Sequence, residues 1–325
     1  MQSRATIRFT AVRRLFIAAP ARLIYSTGMR NPVQHRQSID LARFIAAFGV
    51  VVSHAYATTQ DWVGHLSVGL FLILTAFLAV QSMQRSGGRY PFVARALKLL
   101  VPWLLWSAFF RLVDLLVSDS PARFVPLSDP WTLLIGSSIH LWFLPFVMGA
   151  MALVQPVGRW VCSPARLMAA CAGIVALAVP LFWVHQWTDL PQPLPQWLIA
   201  TPVYLLGLLV GIAHQMGRPV LAVAAAFGLS SVAYVVTGGA IWFFTPVTAV
   251  LVFEGLWRLP LRAGYLPALG QAAFGIYLLH PFMMLVTFKF MGGDVAPMAA
   301  AVVTFVTSWA VVALSRQVPL IARLM

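Results

Sequence analysis

Along this chain the polar residues fall in short clusters, and the stretches between them are almost wholly apolar. Each stretch approaches the roughly 20 residues that a bilayer-spanning helix requires. The pattern predicts helices over 39–57, 67–83, 92–112, 140–155, 165–183, 197–214, 219–236, 239–257, 266–286 and 296–315. The third is the least regular. It opens with Arg95 and Lys98 and carries Pro102, which predicts a kinked helix with an interfacial start. The longest connection, 113–139, and the segment 184–196 are both proline-containing loops on one side. No soluble domain interrupts the series. No internal repeat is evident, which gives an inverted-repeat transporter no support.

Composition agrees with a chain immersed in lipid. Of its 325 residues 61% are hydrophobic and 9% charged, with a mean hydropathy of +0.86. A soluble domain carries about a quarter charged residues. The net charge of +14 raises the question of nucleic acid, but the basic residues do not form a face on a soluble domain. They mark topology instead. With the N-terminus inside, Arg85, Arg89, Arg95, Lys98, Arg159, Arg166, Arg218, Arg258, Arg262, Arg316 and Arg323 fall on the cytoplasmic side. Arg111, Arg123 and Lys289 fall outside, with Asp61, Asp114, Asp119, Asp129, Asp189 and Asp294. The expected fold is therefore all-α, a polytopic transmembrane bundle of about ten helices with both termini cytoplasmic. Residues 1–37 read as a basic cytoplasmic tail and 38–325 as the transmembrane domain. The tail is no clean signal peptide, because Arg4, Arg8, Arg13 and Arg14 precede only a short, Arg-interrupted apolar stretch; Met29 is an alternative start. Cys162 and Cys171 imply no disulfide framework and read as small packing residues.

Ionisable groups inside a bilayer are costly and mark candidate sites. Arg43 and His54 lie eleven residues apart in the first helix, about 16 Å along its axis and close to three turns, so they share roughly one face. His280 follows Tyr277 in the ninth helix, which runs in the same direction, and His140 opens the fourth from the outer side. His54, His280 and His140 can converge in the outer half, while Arg43, Arg95, Lys98 and Arg258 can converge at the inner mouth. That layout offers cations to an anionic ligand and histidines for proton transfer. Plainer readings compete. Arg43 can snorkel to headgroups, Arg95 and Lys98 can be topology signals, Tyr277 and Trp142 can belong to an aromatic belt, and Asp40 can serve the helix dipole or pair with Arg43. Glu254 and Arg258 read as an i,i+4 pair on a helix surface, and His35, His65, His185 and His214 as residues of loops and helix ends. No Gly-rich phosphate loop, zinc-spaced Cys/His set, HExxH or acidic metal cluster is present, so no metal is expected.

Several segments resemble the acyltransferase-3 family of integral membrane acyltransferases. Ser38-Ile39-Asp40-Leu41-Ala42-Arg43, followed by His54, is similar to its first-helix signature of an Arg and a His with ten residues between. Gly69 to Leu78, Phe92 to Pro102, His140-Leu141-Trp142-Phe143-Leu144 and Phe274 to His280 resemble four further motifs in the same order. One departure is Thr75-Ala76, where the family usually has Ser-Gly; a hydroxyl and a small residue are kept. The resemblance, over about 38–315, implies an enzyme that moves an acyl group, usually acetyl, from cytoplasmic acyl-CoA to a hydroxyl of an extracytoplasmic polysaccharide or glycolipid. It implies His54, His280 and Tyr277 as catalytic, Arg43, Arg95 and Lys98 as acyl-CoA ligands, and His140, Trp142 and Thr75 in the acceptor pocket. Acyl-CoA would be a co-substrate, with no permanently bound cofactor, and membrane lipids the surroundings. A bacterial inner membrane is the expected location. The rivals are a flippase for a lipid-linked glycan, which wants buried coupling carboxylates that are lacking here, and a non-catalytic component of glycan assembly.

Overall fold

A computed structural model describes residues 36–56, 62–117, 130–135, 138–292 and 294–318. The basic tail expected over 1–37 lies outside these residues except for its last two. So do Asp61, Asp119, Arg123, Asp129 and Arg323. Every secondary-structure element among the described residues is a helix. The ten main helices are α1 (Gln37–Tyr56), α2 (Trp62–Arg85), α3 (Phe92–Val117), α4 (Ile139–Trp160), α5 (Pro164–Trp187), α6 (Leu194–Gln215), α7 (Pro219–Thr237), α8 (Thr245–Arg258), α9 (Leu266–Met291) and α10 (Pro297–Ser315). A single helical turn, Thr132–Ile135, precedes α4.

Proline sets many of the starts. α5 to α10 each carry one at the first or second helical position, where its missing N–H costs nothing and its fixed φ is already helical. Among the described residues nine helices are long and apolar enough to cross a membrane, and the chain is a multi-pass helical bundle. The tenth, α8, departs from the expected 239–257. Gly238 and Gly239 adopt φ of +68° and +86°, closing α7 in the left-handed region that favours glycine. A turn over 241–244 follows, so the helix begins only at Thr245. Its 14 residues rise only about 21 Å, short of a hydrocarbon core of about 30 Å. Buried Trp242 fills part of the remainder. α4 is also irregular, with 3-10 turns at Ile139–Trp142 and Met151–Leu153 flanking an α-helical segment. α3 starts at Phe92 and runs through Pro102 as one helix of 26 residues.

Side-chain contacts sort the helix ends into two groups. Gln37 accepts from the Ala263 N–H at 2.6 Å, Arg95 donates to Ser82 at 3.1 Å and the Tyr90 N–H donates to Gln155 at 3.0 Å. Arg316 donates to the Ala268 carbonyl at 3.4 Å. These bonds place the starts of α1, α3 and α9 with the ends of α2, α4 and α10. Almost every described Arg and Lys between helices belongs to this basic end. At the opposite end His65 and His185 flank Trp242, with ring centroids 6.0 and 5.8 Å away.

α1 and α2 occupy the middle of the bundle. α1 packs on α2, α9 and α10, and α2 on α6 and α8. α3 packs chiefly against α4 and reaches α9 through Phe109 and Phe282, whose centroids are 5.3 Å apart. Two apolar clusters result, one around α2, α4 and α5–α8 and one around α1, α3, α9 and α10. Phe71 and Phe143 border both.

A close helix approach explains how the Thr75-Ala76 pair is accommodated. A Cβ on Gly207 of α6 would stand 2.7 Å from Ile73 Cα and 2.8 Å from Ala76 Cβ, so the small residue the contact needs is supplied by α6 as well. Replacing Gly207 with valine forces backbone apart and is expected to destabilise the bundle by about 1–3 kcal/mol, read as a lower unfolding temperature in detergent. An unchanged temperature would show that the two helices can separate freely.

Glu254 corrects a surface assignment and, with Asp40, the expectation that buried carboxylates are lacking. It is 2% exposed and faces the bundle, with His214 Nε2 at 2.7 Å and Arg258 at 3.1 Å. His214, read as a bland helix-end residue, is therefore a partner to the buried carboxylate. The ring of Trp257 beside it carries the Arg36 guanidinium 4.4 Å above its centroid. Cys162 is exposed and Cys171 buried, both as free thiols.

Candidate active site

A cavity of about 1110 Å³ lies at the seam of the two clusters, walled by α1, α2, α3, α4 and α9. Arg43, Arg95, Lys98 and Arg316 line one end of it, and His54, His140, Trp142 and Tyr277 the other. Leu74, Leu78 and Val147 line the stretch between. Arg43 and His54 stand on one uninterrupted helix, so about 16 Å separates them along the axis, and both face the cavity as their spacing predicts. Thr75 faces it from α2.

The histidines form a cluster. The ring of His280 is 4.9 Å from that of His54 and 5.6 Å from that of His140. His54 is exposed to the cavity, whereas His140 and His280 are buried. His280 does not line the cavity and meets it through His54. Its orientation follows from the next residue. Pro281 stands inside α9 and has no N–H to give the carbonyl four residues back, that of Tyr277. His280 Nδ1 takes up that carbonyl at 2.7 Å. The carbonyl can only accept, so Nδ1 carries the proton and Nε2 presents a lone pair. Nε2 is buried with no hydrogen-bond partner among the described residues.

Tyr277 secures the other histidine. Its hydroxyl donates to the backbone carbonyl of His140, pinning the first turn of α4 to α9. His140 Nδ1 lies 2.9 Å from Ser138 Oγ, and Phe110 of α3 meets the ring edge-on at 4.8 Å. A chain of ring contacts thus runs from α1 through α9 to α4 and α3.

At the basic end Arg95 and Lys98 are solvent-exposed on the first turns of α3. Tyr90 also lines the cavity; burial pushes its phenol above the ordinary value, with the Arg95 charge opposing, so it stays a neutral donor. Gly270 brings α9 down onto α1. A Cβ there would stand 2.4 Å from Asp40 Cβ and 2.6 Å from Asp40 Cα. Arg258, expected with this group, instead pairs with Glu254 and does not line the cavity. Arg316, Gln271, Ser82, Tyr90 and Phe71 line it without having been expected. Arg316 carried a signal, its basic charge after the last helix, that topology alone explained. Among the described residues no three His, Cys, Asp or Glu side chains are placed to hold a metal ion.

The arrangement offers a polar path through apolar surroundings, cationic at one end and imidazole-lined at the other. Neither a curated protein nor a solved structure matches the chain. Residues 36–316 match the acyltransferase-3 family model, described as an acyltransferase domain. The match takes in all ten helices and the cavity they enclose, and the chain belongs to the acyltransferase-3 family, a membrane acyltransferase.

Proposed function

We propose that the protein is an O-acyltransferase that moves an acyl group, most simply acetyl, from acyl-CoA to a hydroxyl of a polysaccharide or glycolipid on the opposite side of a bacterial inner membrane. The observation that carries this reading is the single cavity with cations at one end and histidines at the other. The positive-inside bias makes the basic end cytoplasmic. The donor enters there, its phosphates held by Arg43 with Arg95 and Lys98 through charge-assisted hydrogen bonds. Its pantetheine arm lies along the apolar stretch, which brings the thioester to the histidines.

At that point the acceptor hydroxyl attacks the thioester carbonyl and His54 takes its proton. The C–S bond then breaks, the acyl group remains on the acceptor oxygen, and the CoA sulfur leaves with the proton His54 returns. His280, fixed as the Nδ1–H tautomer, lies against His54 and sets its position. Tyr277, whose hydroxyl is committed to the His140 carbonyl, holds the acceptor pocket in shape, and Trp142 lines that pocket. No permanently bound cofactor enters this scheme.

The test is mass spectrometry of the surface glycans of cells with and without the protein. An O-linked acyl mass present only with the protein is the expected result. Glycans of unchanged acyl content, with the polymer itself lost from the surface, would overturn the reading in favour of a transport or assembly role.

A further inference from the structure

Arg316 follows the last turn of α10 and turns back onto the start of α9. One guanidinium nitrogen donates to the Ala268 carbonyl at 3.4 Å, and the other donates to the Gln271 side-chain oxygen. Both acceptors are neutral, so they orient the guanidinium without cancelling its charge. Arg316 and Gln271 line the same cavity as Arg43, Arg95 and Lys98. A residue that served only to anchor the helix in headgroups has no need to be aimed into an internal cavity by a glutamine from another helix.

Depth can be read from the packing. Gly270 rests on Asp40, which fixes the level of α9 against α1. Gln271 therefore lies beside the first turn of α1, and Arg43 stands three residues further along, about 4.5 Å deeper. His54 is about 16 Å deeper again. The cations are thus tiered, with Arg316 at the rim and Arg43 inside it.

Resting on the acyl-CoA reading above, we propose that Arg316, held by Gln271, binds the ribose 3′-phosphate of the donor, while Arg43 meets the pyrophosphate. The order of groups in CoA matches the order of the tiers. The thioester ends the pantetheine arm, the pyrophosphate begins it, and the 3′-phosphate lies beyond on the ribose. A phosphomonoester also presents three terminal oxygens and close to two charges, which suits the planar fork of arginine better than a lysine ammonium. The same fork would accept a phosphate from a lipid headgroup, so the test must separate the two sources.

The experiment measures binding of CoA and of 3′-dephospho-CoA to the full chain in phosphatidylcholine nanodiscs, for the wild type, Arg316→Gln and Arg316→Lys. The wild type should bind CoA about tenfold or more tighter than 3′-dephospho-CoA. Arg316→Gln should bind CoA only as well as the wild type binds the dephospho form, with its own affinity for the dephospho form unchanged. Arg316→Lys should keep part of the preference. If Arg316→Gln binds neither ligand, Arg316→Lys decides, and a full wild-type preference there overturns the proposal. A preference that survives Arg316→Gln, as expected for a lipid-bound arginine, also overturns it and leaves the acyl-CoA reading standing. A wild type that binds neither ligand removes both.

Discussion

Replacing His54 with alanine is expected to lower acyl transfer by about 10²–10⁴-fold while leaving the bundle intact. The two halves of that statement have separate grounds. His54 stands near the end of α1 and is exposed to the cavity, so its removal opens no void in the packed core. It is also the histidine that lines the cavity from the helix carrying Arg43, and neutral imidazole is the side chain best matched to taking a proton from a hydroxyl at physiological pH. Glutamine at the same position keeps hydrogen-bonding capacity but cannot carry the proton, so it should be as inactive as alanine. The measurement is release of CoA thiol from acyl-CoA in the presence of acceptor, with each variant's monodispersity checked. Activity within tenfold of wild type would remove His54 as the base.

The second large effect is expected at Arg43. Arg43→Gln should raise the KM for acyl-CoA by about 10–100-fold, the worth of a charge-assisted hydrogen bond to phosphate, with a much smaller change in kcat. Such a split identifies binding lost equally from ground and transition states. It is expected because Arg43 lies about 16 Å from His54 along α1, too far to touch the reacting carbonyl. Arg43→Lys should recover only part of the affinity, since an ammonium cannot grip a phosphate with two parallel bonds. A fall in kcat at unchanged KM would place Arg43 in the chemistry instead.

Much of this site was legible from spacing alone. Arg43 and His54 face one cavity because eleven residues make about three helical turns, and the direction of each helix could be read from the charges at its ends. What stayed hidden depended on contacts between distant segments. Glu254 looked like half of a surface pair because Arg258 is one turn away; only the approach of α6 puts His214 against it. Arg316 looked like a topology residue because its partners, Ala268 and Gln271, come from another helix. The late start of α8 was obscured because Ile241, Trp242, Phe243 and Phe244 are all apolar, so the turn they form delays the helix without any change in polarity. The fixing of His280 was, by contrast, written in the chain: a proline directly after the histidine frees the Tyr277 carbonyl, which the imidazole takes up.

The arrangement of α3 reaches beyond the protein itself. This helix forms one side of the cavity with Leu97, Lys98 and Val101, yet it packs chiefly against α4, and Val93, Leu104, Leu105 and Leu112 on it are exposed. The remaining support comes from the acyl chains around it. Lateral pressure and bilayer thickness therefore help set how far that wall stands from α9, and with it the width of the cavity. Micelles, which press less evenly than a bilayer, are a poor place to judge this enzyme's appetite for its substrate, and an apolar inhibitor dissolved in the membrane has a shorter way in than one dissolved in water.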